Sequence, residues 1–355
     1  MQTDVLIIGG GFAGANAAQH LAEQDIKTLL VDKKDFFEVT FATLRNAVDP
    51  KTVGTTARKY YKDFIQGDYV QATVTELHAN NAILDNGTSV TFQQAIIASG
   101  SSYKNLAMAK PQNSLNLDRR NQELLQEYDQ LTTANSVLII GGGIVGVELA
   151  GEIAYAHPDK KVILAHATDT LLDGFKPKAQ RVATAQLLKL GVEIQYQRMY
   201  QQSKEGYTDP RTGHSIQADL AYLCVGTQPN NQFLLDTMPD ILNDQGMVKV
   251  DDNLRVTGAD NMYAIGDIAD VGEAKLGYLA GGQGRYIAKQ IIADRKGQSN
   301  KAYKRNPLMA LIPTGQKTGV VQLPFAVTSL SFMVNMKQKD LFISKIYGEL
   351  KAKKT

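Results

Sequence analysis

The chain repeats one motif, and that repeat dictates how both of its halves fold. Thr3-Asp4-Val5-Leu6-Ile7-Ile8-Gly9-Gly10-Gly11-Phe12-Ala13-Gly14 returns 132 residues later as Asn135-Ser136-Val137-Leu138-Ile139-Ile140-Gly141-Gly142-Gly143-Ile144-Val145-Gly146. Each copy runs from an apolar strand into G-x-G-x-x-G and an Ala/Leu-rich helical stretch. A second strand follows, Thr28-Leu29-Leu30-Val31 in one copy and Val162-Ile163-Leu164-Ala165 in the other. This is the strand–turn–helix–strand frame that a dinucleotide-binding turn requires. One such glycine turn arises easily by accident; two in the same frame do not. Gly9 and Gly141 permit the tight turn. Gly11 and Gly143 let a pyrophosphate approach the backbone, and Gly14 and Gly146 let helix and strand pack closely. The helices opening at Phe12-Ala13 and Ile144-Val145 offer unpaired N–H groups and a positive dipole end to the phosphates.

Each half also closes alike, in Ala95-Ile96-Ile97-Ala98-Ser99-Gly100 and Ala221-Tyr222-Leu223-Cys224-Val225-Gly226. Shorter alternating runs lie between, such as 69–77, with turn signals at Asn80-Asn81 and Asn86-Gly87. A third apolar strand, Asn261-Met262-Tyr263-Ala264-Ile265, ends in Gly266-Asp267, and a helical pattern follows over 277–294. Gly-Asp alone is a common turn; its meaning here comes from the two fingerprints before it.

Length and composition narrow the rest. A chain of 355 residues is too long for one core and predicts two domains with an appendage. With 43% hydrophobic and 21% charged residues, whole-chain disorder is excluded. The single cysteine, Cys224, excludes a disulfide framework, a cysteine zinc site and a dithiol pair within one chain. The histidines (His20, His78, His157, His166, His214) show no HxxxH spacing, so no metal site is expected. The N-terminus enters a strand at once, without the basic start and apolar run of a signal peptide. The most apolar stretch, 319–336, is broken by Gln322, Pro324, Thr328, Ser329, Ser331 and Asn335, and is not expected to span a membrane. A cytoplasmic protein is the expectation. Residues 301–355 hold ten basic and two acidic side chains; their surplus of eight leaves the first 300 residues at −6 against a whole-chain charge of +2. Such asymmetry suggests a basic tail meeting a negative surface. No aromatic-interleaved basic patch points to nucleic acid, so none is expected as a partner.

Two fingerprints followed by Ala264-Ile265-Gly266-Asp267 and a helix resemble the two-dinucleotide-binding flavoprotein reductases of the pyridine nucleotide-disulfide oxidoreductase family. Leu30-Val31-Asp32-Lys33-Lys34-Asp35-Phe36-Phe37, Leu44-Arg45-Asn46-Ala47, Ile268-Ala269-Asp270 and Asp340-Leu341-Phe342-Ile343-Ser344 are most similar to the apoptosis-inducing-factor-like branch that includes ferroptosis suppressor proteins, with type II NADH dehydrogenases near it. The resemblance covers essentially the whole chain. It implies an α/β fold of two Rossmann-like nucleotide-binding domains plus a short C-terminal cap. The FAD-binding domain would be discontinuous, 1–110 with 254–300. The NAD(P)H-binding domain, 111–253, would be inserted in it, and 301–355 would form a basic amphipathic C-terminal region.

The same resemblance distributes roles. FAD would be held by the first fingerprint, Lys33, Arg45, Val74, Ser99 and Gly100. Asp267 would bind its ribitol, and the backbone N–H groups of Leu279 and Ala280 would face the flavin pyrimidine edge, stabilising negative charge there. NADH or NADPH would lie on the second fingerprint and Gly226, with Glu148 reaching toward the nicotinamide end. Glu148 and Lys110 are the catalytic candidates. For Glu148 the alternative is an acid that complements the helix dipole. Asp32 lies 18 residues past Gly14, where a carboxylate can accept from ribose hydroxyls; the alternative is a capping or loop aspartate. His166 is its counterpart in the second copy. No acid stands there to repel a 2′-phosphate, so NADPH should be tolerated, unless His166 is a bystander.

Disulfide reductases of this fold need a cysteine pair beside the flavin, in the segment after Asp32, yet 33–50 holds no cysteine. Cysteine peroxidases fail for the same reason, and Cys224 reads as a small buried hydrophobe. The resemblance then implies an FAD-dependent enzyme that passes a hydride from NAD(P)H to flavin N5 and then two electrons to a quinone. The alternatives are a reductase of a small iron–sulfur electron carrier and a non-enzymatic flavin redox sensor. In the tail, Phe342, Ile343, Ile346, Tyr347 and Leu350 form a helical stripe flanked by Lys339, Lys345, Lys351, Lys353 and Lys354. One reading places 337–355 peripherally on the inner face of an anionic membrane. The other packs the stripe on the protein itself. The stretch 320–334, with Phe325 and Phe332, could line a tunnel from flavin to lipid or be core.

Overall fold

A computed structural model describes residues 1–53, 56–111, 113–204 and 206–352. The first fingerprint strand, Gln2–Ile8, lies in the middle of a seven-stranded sheet. Thr28–Asp32 runs parallel on one side and Ser89–Ile97 on the other, with Ile7 opposite Leu30 and Ile96. Asp68–Gln71 extends one edge in parallel. The hairpin Val74–Leu77 and Asn81–Leu84 extends the other, antiparallel. The Gly-Asp strand, Met262–Ala264, pairs in parallel with the upper half of Ser89–Ile97, so the chain does return to its first sheet. Continuous apolar runs suit strands covered on both faces: Val5, Leu6, Ile7, Ala95, Ile96 and Ile97 are all fully buried. The helices Phe12–Ala22 and Gly277–Arg295 pack against each other, Gly284 lying directly on the backbone of Ala13.

The second fingerprint strand, Ser136–Ile140, repeats the plan. It sits between Lys161–Ala165 and Leu220–Leu223, with Glu193–Gln195 at the edge, all parallel. The cores do not divide strictly by sequence. Leu44, Ala47, Leu106, Met108 and Ala109 bury their side chains in the cluster under this second sheet.

The C-terminal region is built into both cores. Its antiparallel sheet, Ala310–Pro313, Gly319–Gln322 and Val327–Thr328, puts Ile312, Val320 and Val327 in the second core. Two helices follow, Ser331–Gln338 and Ile343–Glu349. Ile343, Ile346, Tyr347 and Leu350 belong to the first core, where Tyr347 packs edge-on to Phe37 and Phe64. This corrects the membrane reading of the tail stripe, whose apolar face is already covered by protein. It also corrects the helix boundaries. Leu341 and Phe342 take positive φ (51° and 57°), breaking the pattern, and Asp340 accepts from the amides of Phe342 and Ser344 to start the next helix. Lys351 pairs with Glu23, and Lys353 and Lys354 lie outside the described residues. Phe325 and Phe332 are neither tunnel lining nor core, being 87% and 66% exposed. Among the described residues no helix is long and apolar enough to cross a membrane.

Leu350 is fully buried. Leu350→Ala should therefore cost about 2–5 kcal/mol in denaturant unfolding. A residue facing lipid or solvent would change stability by less than about 0.5 kcal/mol.

Candidate active site at the junction of two nucleotide cradles

The two fingerprint turns have the same stereochemistry. Gly9 (φ 101°) and Gly141 (φ 115°) occupy backbone space that side chains rarely take. A Cβ on either would strike the closing strand, 2.4 Å from the Ala98 carbonyl oxygen and 2.8 Å from that of Cys224. A Cβ on Gly14 or Gly146 would lie 1.9 or 1.8 Å from the carbonyl oxygen of the first glycine of its own turn. At Gly11 and Gly143 a Cβ would meet nothing within 4 Å. The outer glycines are thus imposed by packing, whereas the middle ones face open space at the start of helices that no side chain caps. Two such cradles fit two pyrophosphates. In the first half, among the described residues, Ser99 Oγ beside the Gly9 turn is buried without a hydrogen-bond partner, which adds to the fit.

At the strand ends, Gly10 N–H donates to Asp32 Oδ2 at 2.6 Å, and Gly142 N–H donates to His166 Nδ1 at 3.0 Å. Asp32 and His166 therefore occupy corresponding places, as their sequence positions predict. Asp32 Oδ1 also accepts from the Lys34 amide and ammonium, and Tyr61 O–H donates to the Gly10 carbonyl. Burial and the neighbouring Lys34 lower the pKa of Lys33. Val74 is buried at the start of the edge hairpin.

Beyond each closing strand the chain turns through a left-handed glycine, Gly100 (φ 70°) and Gly226 (φ 72°). The continuations Ser101–Tyr103 and Thr227–Pro229 then pair antiparallel, tying one half to the other. Asn230 reinforces this by donating to the Ser99 carbonyl. Here the structure brings Lys110 and Asp267 together. Lys110 Nζ lies 2.9 Å from Asp267 Oδ2 and also donates to Ser101, whose hydroxyl donates to the same carboxylate oxygen at 2.7 Å. Burial pushes the Asp267 pKa up, but Lys110 and Ser101 outweigh it, and the net shift is downward. The helix Gly277–Arg295 begins beside this group. Its Ala280 amide, one of the two expected to face the flavin edge, donates to the Leu276 carbonyl. With the cap at Leu276, residue 280 is the first to find an intrahelical acceptor, whereas Leu279 lies in the first turn, where amides lack one.

The other catalytic candidate, Glu148, is buried on the helix Ile144–Ala156. Lys337 Nζ, from the C-terminal helix Ser331–Gln338, lies 2.8 Å from Glu148 Oε1. The same ammonium donates to the Leu311 carbonyl and sits over the Phe41 ring. One turn on, Glu152 takes a bidentate pair from Arg45, with Nε at 2.6 Å and Nη2 at 2.9 Å; Arg45 also donates to Gln338. The Arg45 guanidinium is thus committed to Glu152 and Gln338. Burial raises the pKa of both glutamates, while Lys337 pulls Glu148 back and Arg45 pulls Glu152 back. Sequence reasoning missed Glu152, Lys337 and Gln338. The available signal was two acids four residues apart in an otherwise apolar helix, since buried carboxylates need cationic partners. Burial pushes the Cys224 thiol up to about 12, which keeps it protonated.

Comparison with known proteins identifies the family. Residues 3–288 match the pyridine nucleotide-disulphide oxidoreductase family, to which the chain belongs. Over 98% of its length the chain is 31% identical to ferroptosis suppressor protein 1 of Xenopus tropicalis, covering 95% of that protein. It is 30% identical to apoptosis-inducing factor homolog B of Dictyostelium discoideum, covering 98% of this chain and 96% of the other. The fold is shared with sulfide:quinone oxidoreductase of Aquifex aeolicus, at TM-score 0.81 and 14% identity over 98% of this chain and 92% of that one. NDH2 of Plasmodium falciparum, solved with NADH, gives TM-score 0.78 at 14% identity, covering 99% of this chain and 98% of that one. The protein is an FAD- and NAD(P)-dependent oxidoreductase.

Removing Lys337 leaves Glu148 as a buried, unpaired carboxyl. Lys337→Met should cost about 3–5 kcal/mol at neutral pH, with most of the loss recovered in Lys337→Met/Glu148→Gln. The sign with pH follows from the raised carboxyl pKa. The native state of the single variant holds a proton that the unfolded state has released, so its stability falls as pH rises from the ordinary glutamate range through the raised value. Melting temperatures of the three proteins from pH 5 to pH 8 check both statements.

Proposed function

We propose that this oxidoreductase oxidises NAD(P)H with a quinone, NAD(P)H + H⁺ + quinone → NAD(P)⁺ + quinol. Bound FAD supplies the two-electron relay between the two substrates. The proposal assigns FAD to residues 1–110 and 254–300, NADH or NADPH to 111–253, and a covering role to 301–355. In the FAD half, Asp32 serves the adenosine ribose, and the Asp267–Lys110–Ser101 group serves the ribitol and the adjoining part of the flavin.

The buried Glu148–Lys337 pair carries the acceptor assignment. Reducing a quinone to a quinol consumes protons as well as electrons. The pair places a carboxyl of raised pKa and an ammonium side by side at the meeting of three chain segments. The Lys337 ammonium can donate, and burial disposes Glu148 to take up and pass on a proton, so the pair can serve a reducible carbonyl docked beside it. The absence of a second cysteine and the inert Cys224 set dithiol acceptor chemistry aside. The structural neighbour described as a sulfide:quinone oxidoreductase points to the same acceptor class.

A lipid-borne quinone also needs an apolar approach. With the 343–350 stripe buried, that approach passes to Phe325, Leu330, Phe332 and Met336, which are all exposed on and just before the helix that carries Lys337. Peripheral membrane contact, if the acceptor is membrane-borne, is assigned to this patch.

Steady-state consumption of NADH with a short-chain soluble quinone tests the proposal. Turnover is expected, and Glu148→Gln should lower kcat roughly 100-fold, the scale of a lost proton donor. Turnover confined to a small iron–sulfur protein, steeply salt-dependent and indifferent to Glu148→Gln, would contradict it.

A further inference from the structure

The two strand ends differ in a way that bears on nucleotide choice. In the first copy a carboxylate sits directly on the turn amide, that of Asp32 on Gly10. In the second copy an imidazole takes that place, and the carboxylate stands one ring further out. His166 Nδ1 accepts from Gly142 N–H, so it bears no hydrogen and Nε2 carries it. His166 Nε2 lies 3.1 Å from Asp173 Oδ2 and donates to it. Asp173 is fixed a second time by Thr168 Oγ1, 3.1 and 3.2 Å from its two oxygens. Its side chain remains 53% exposed beside the turn. Two cations lie near this place, Lys176 and Arg198, the latter donating its amide to the His166 carbonyl. Lys176 donates to the carbonyls of Leu323 and Pro324, and Arg198 to that of Gln197.

We propose that Asp173, positioned by His166 and Thr168, selects the nucleotide at the second fingerprint. Its carboxylate accepts from a free 2′-hydroxyl of the adenosine ribose and repels a 2′-phosphate, so the site takes NADH in preference to NADPH. The inference rests on reading that fingerprint as the nicotinamide nucleotide site. It reverses what the histidine alone implies, because the negative charge missing from the strand end is returned seven residues later.

The test compares kcat/KM for NADH and NADPH in the parent, Asp173→Asn and Asp173→Ala, with ferricyanide as acceptor so that quinone binding plays no part. Asn keeps the shape and an oxygen for His166 but removes the charge. The parent should favour NADH by more than about tenfold, and both variants should lower that ratio by about tenfold, chiefly through KM for NADPH, as loss of one repulsive charge a few ångströms from a phosphate requires. A parent that uses NADPH as well as NADH, or variants within about twofold of the parent ratio, overturns the assignment alone. A parent that oxidises neither nucleotide overturns the assignment together with the reading it rests on.

Discussion

Two buried carboxylates on one helix, Glu148 and Glu152, constrain the arrangement of everything around them. An unpaired carboxylate in such a place would cost several kcal/mol or lose its charge. The chain supplies a cation to each from a different region: Arg45 from the segment after the first fingerprint, Lys337 from the C-terminal helix. Gln338, the next residue, closes the ring by accepting from Arg45 and donating to the Gly315 carbonyl. The glycine turns fix where each nucleotide would lie; the charge network fixes how the regions bearing them meet. The paired continuations Ser101–Tyr103 and Thr227–Pro229 provide a second tie at the other side of that meeting.

This arrangement gives one feature two consequences. The C-terminal helix Ser331–Gln338 presents Lys337 and Gln338 inward, while Phe332 and Met336 on the same helix face outward. A ligand arriving at the outer face is one helix thickness from the buried carboxyls. The stripe beyond it, Ile343 to Leu350, serves a different end. It plugs the first core beside Phe37 and Phe64, anchoring the helix without itself being a contact surface.

The parts of the fold legible in the sequence are those set by local stereochemistry. The fingerprint glycines follow from constraints acting within a few residues, the strand ends at Asp32 and His166 from their fixed spacing to those glycines, and the Gly-Asp strand from the two fingerprints that precede it. What sequence left open depends on contacts across more than a hundred positions. The Lys110–Asp267 contact joins residues 157 apart, and Lys337–Glu148 joins residues 189 apart. No periodicity announces such pairs. The tail leaves two readings open for a related reason: an amphipathic stripe states that one face is apolar, not what covers it. Nor does it show that consecutive left-handed residues at 341 and 342 end one helix before another begins.

If electrons enter from a nicotinamide nucleotide and leave to a quinone, the flavin must be reduced by the one and reoxidised by the other. The visible flavin spectrum of the purified holoprotein, followed without oxygen first with NADH and then with a soluble quinone, shows whether it is. The flavin absorbance should bleach on NADH addition and return promptly with the quinone. A flavin that bleaches and stays bleached under excess quinone, or that NADH does not bleach at all, would contradict that route.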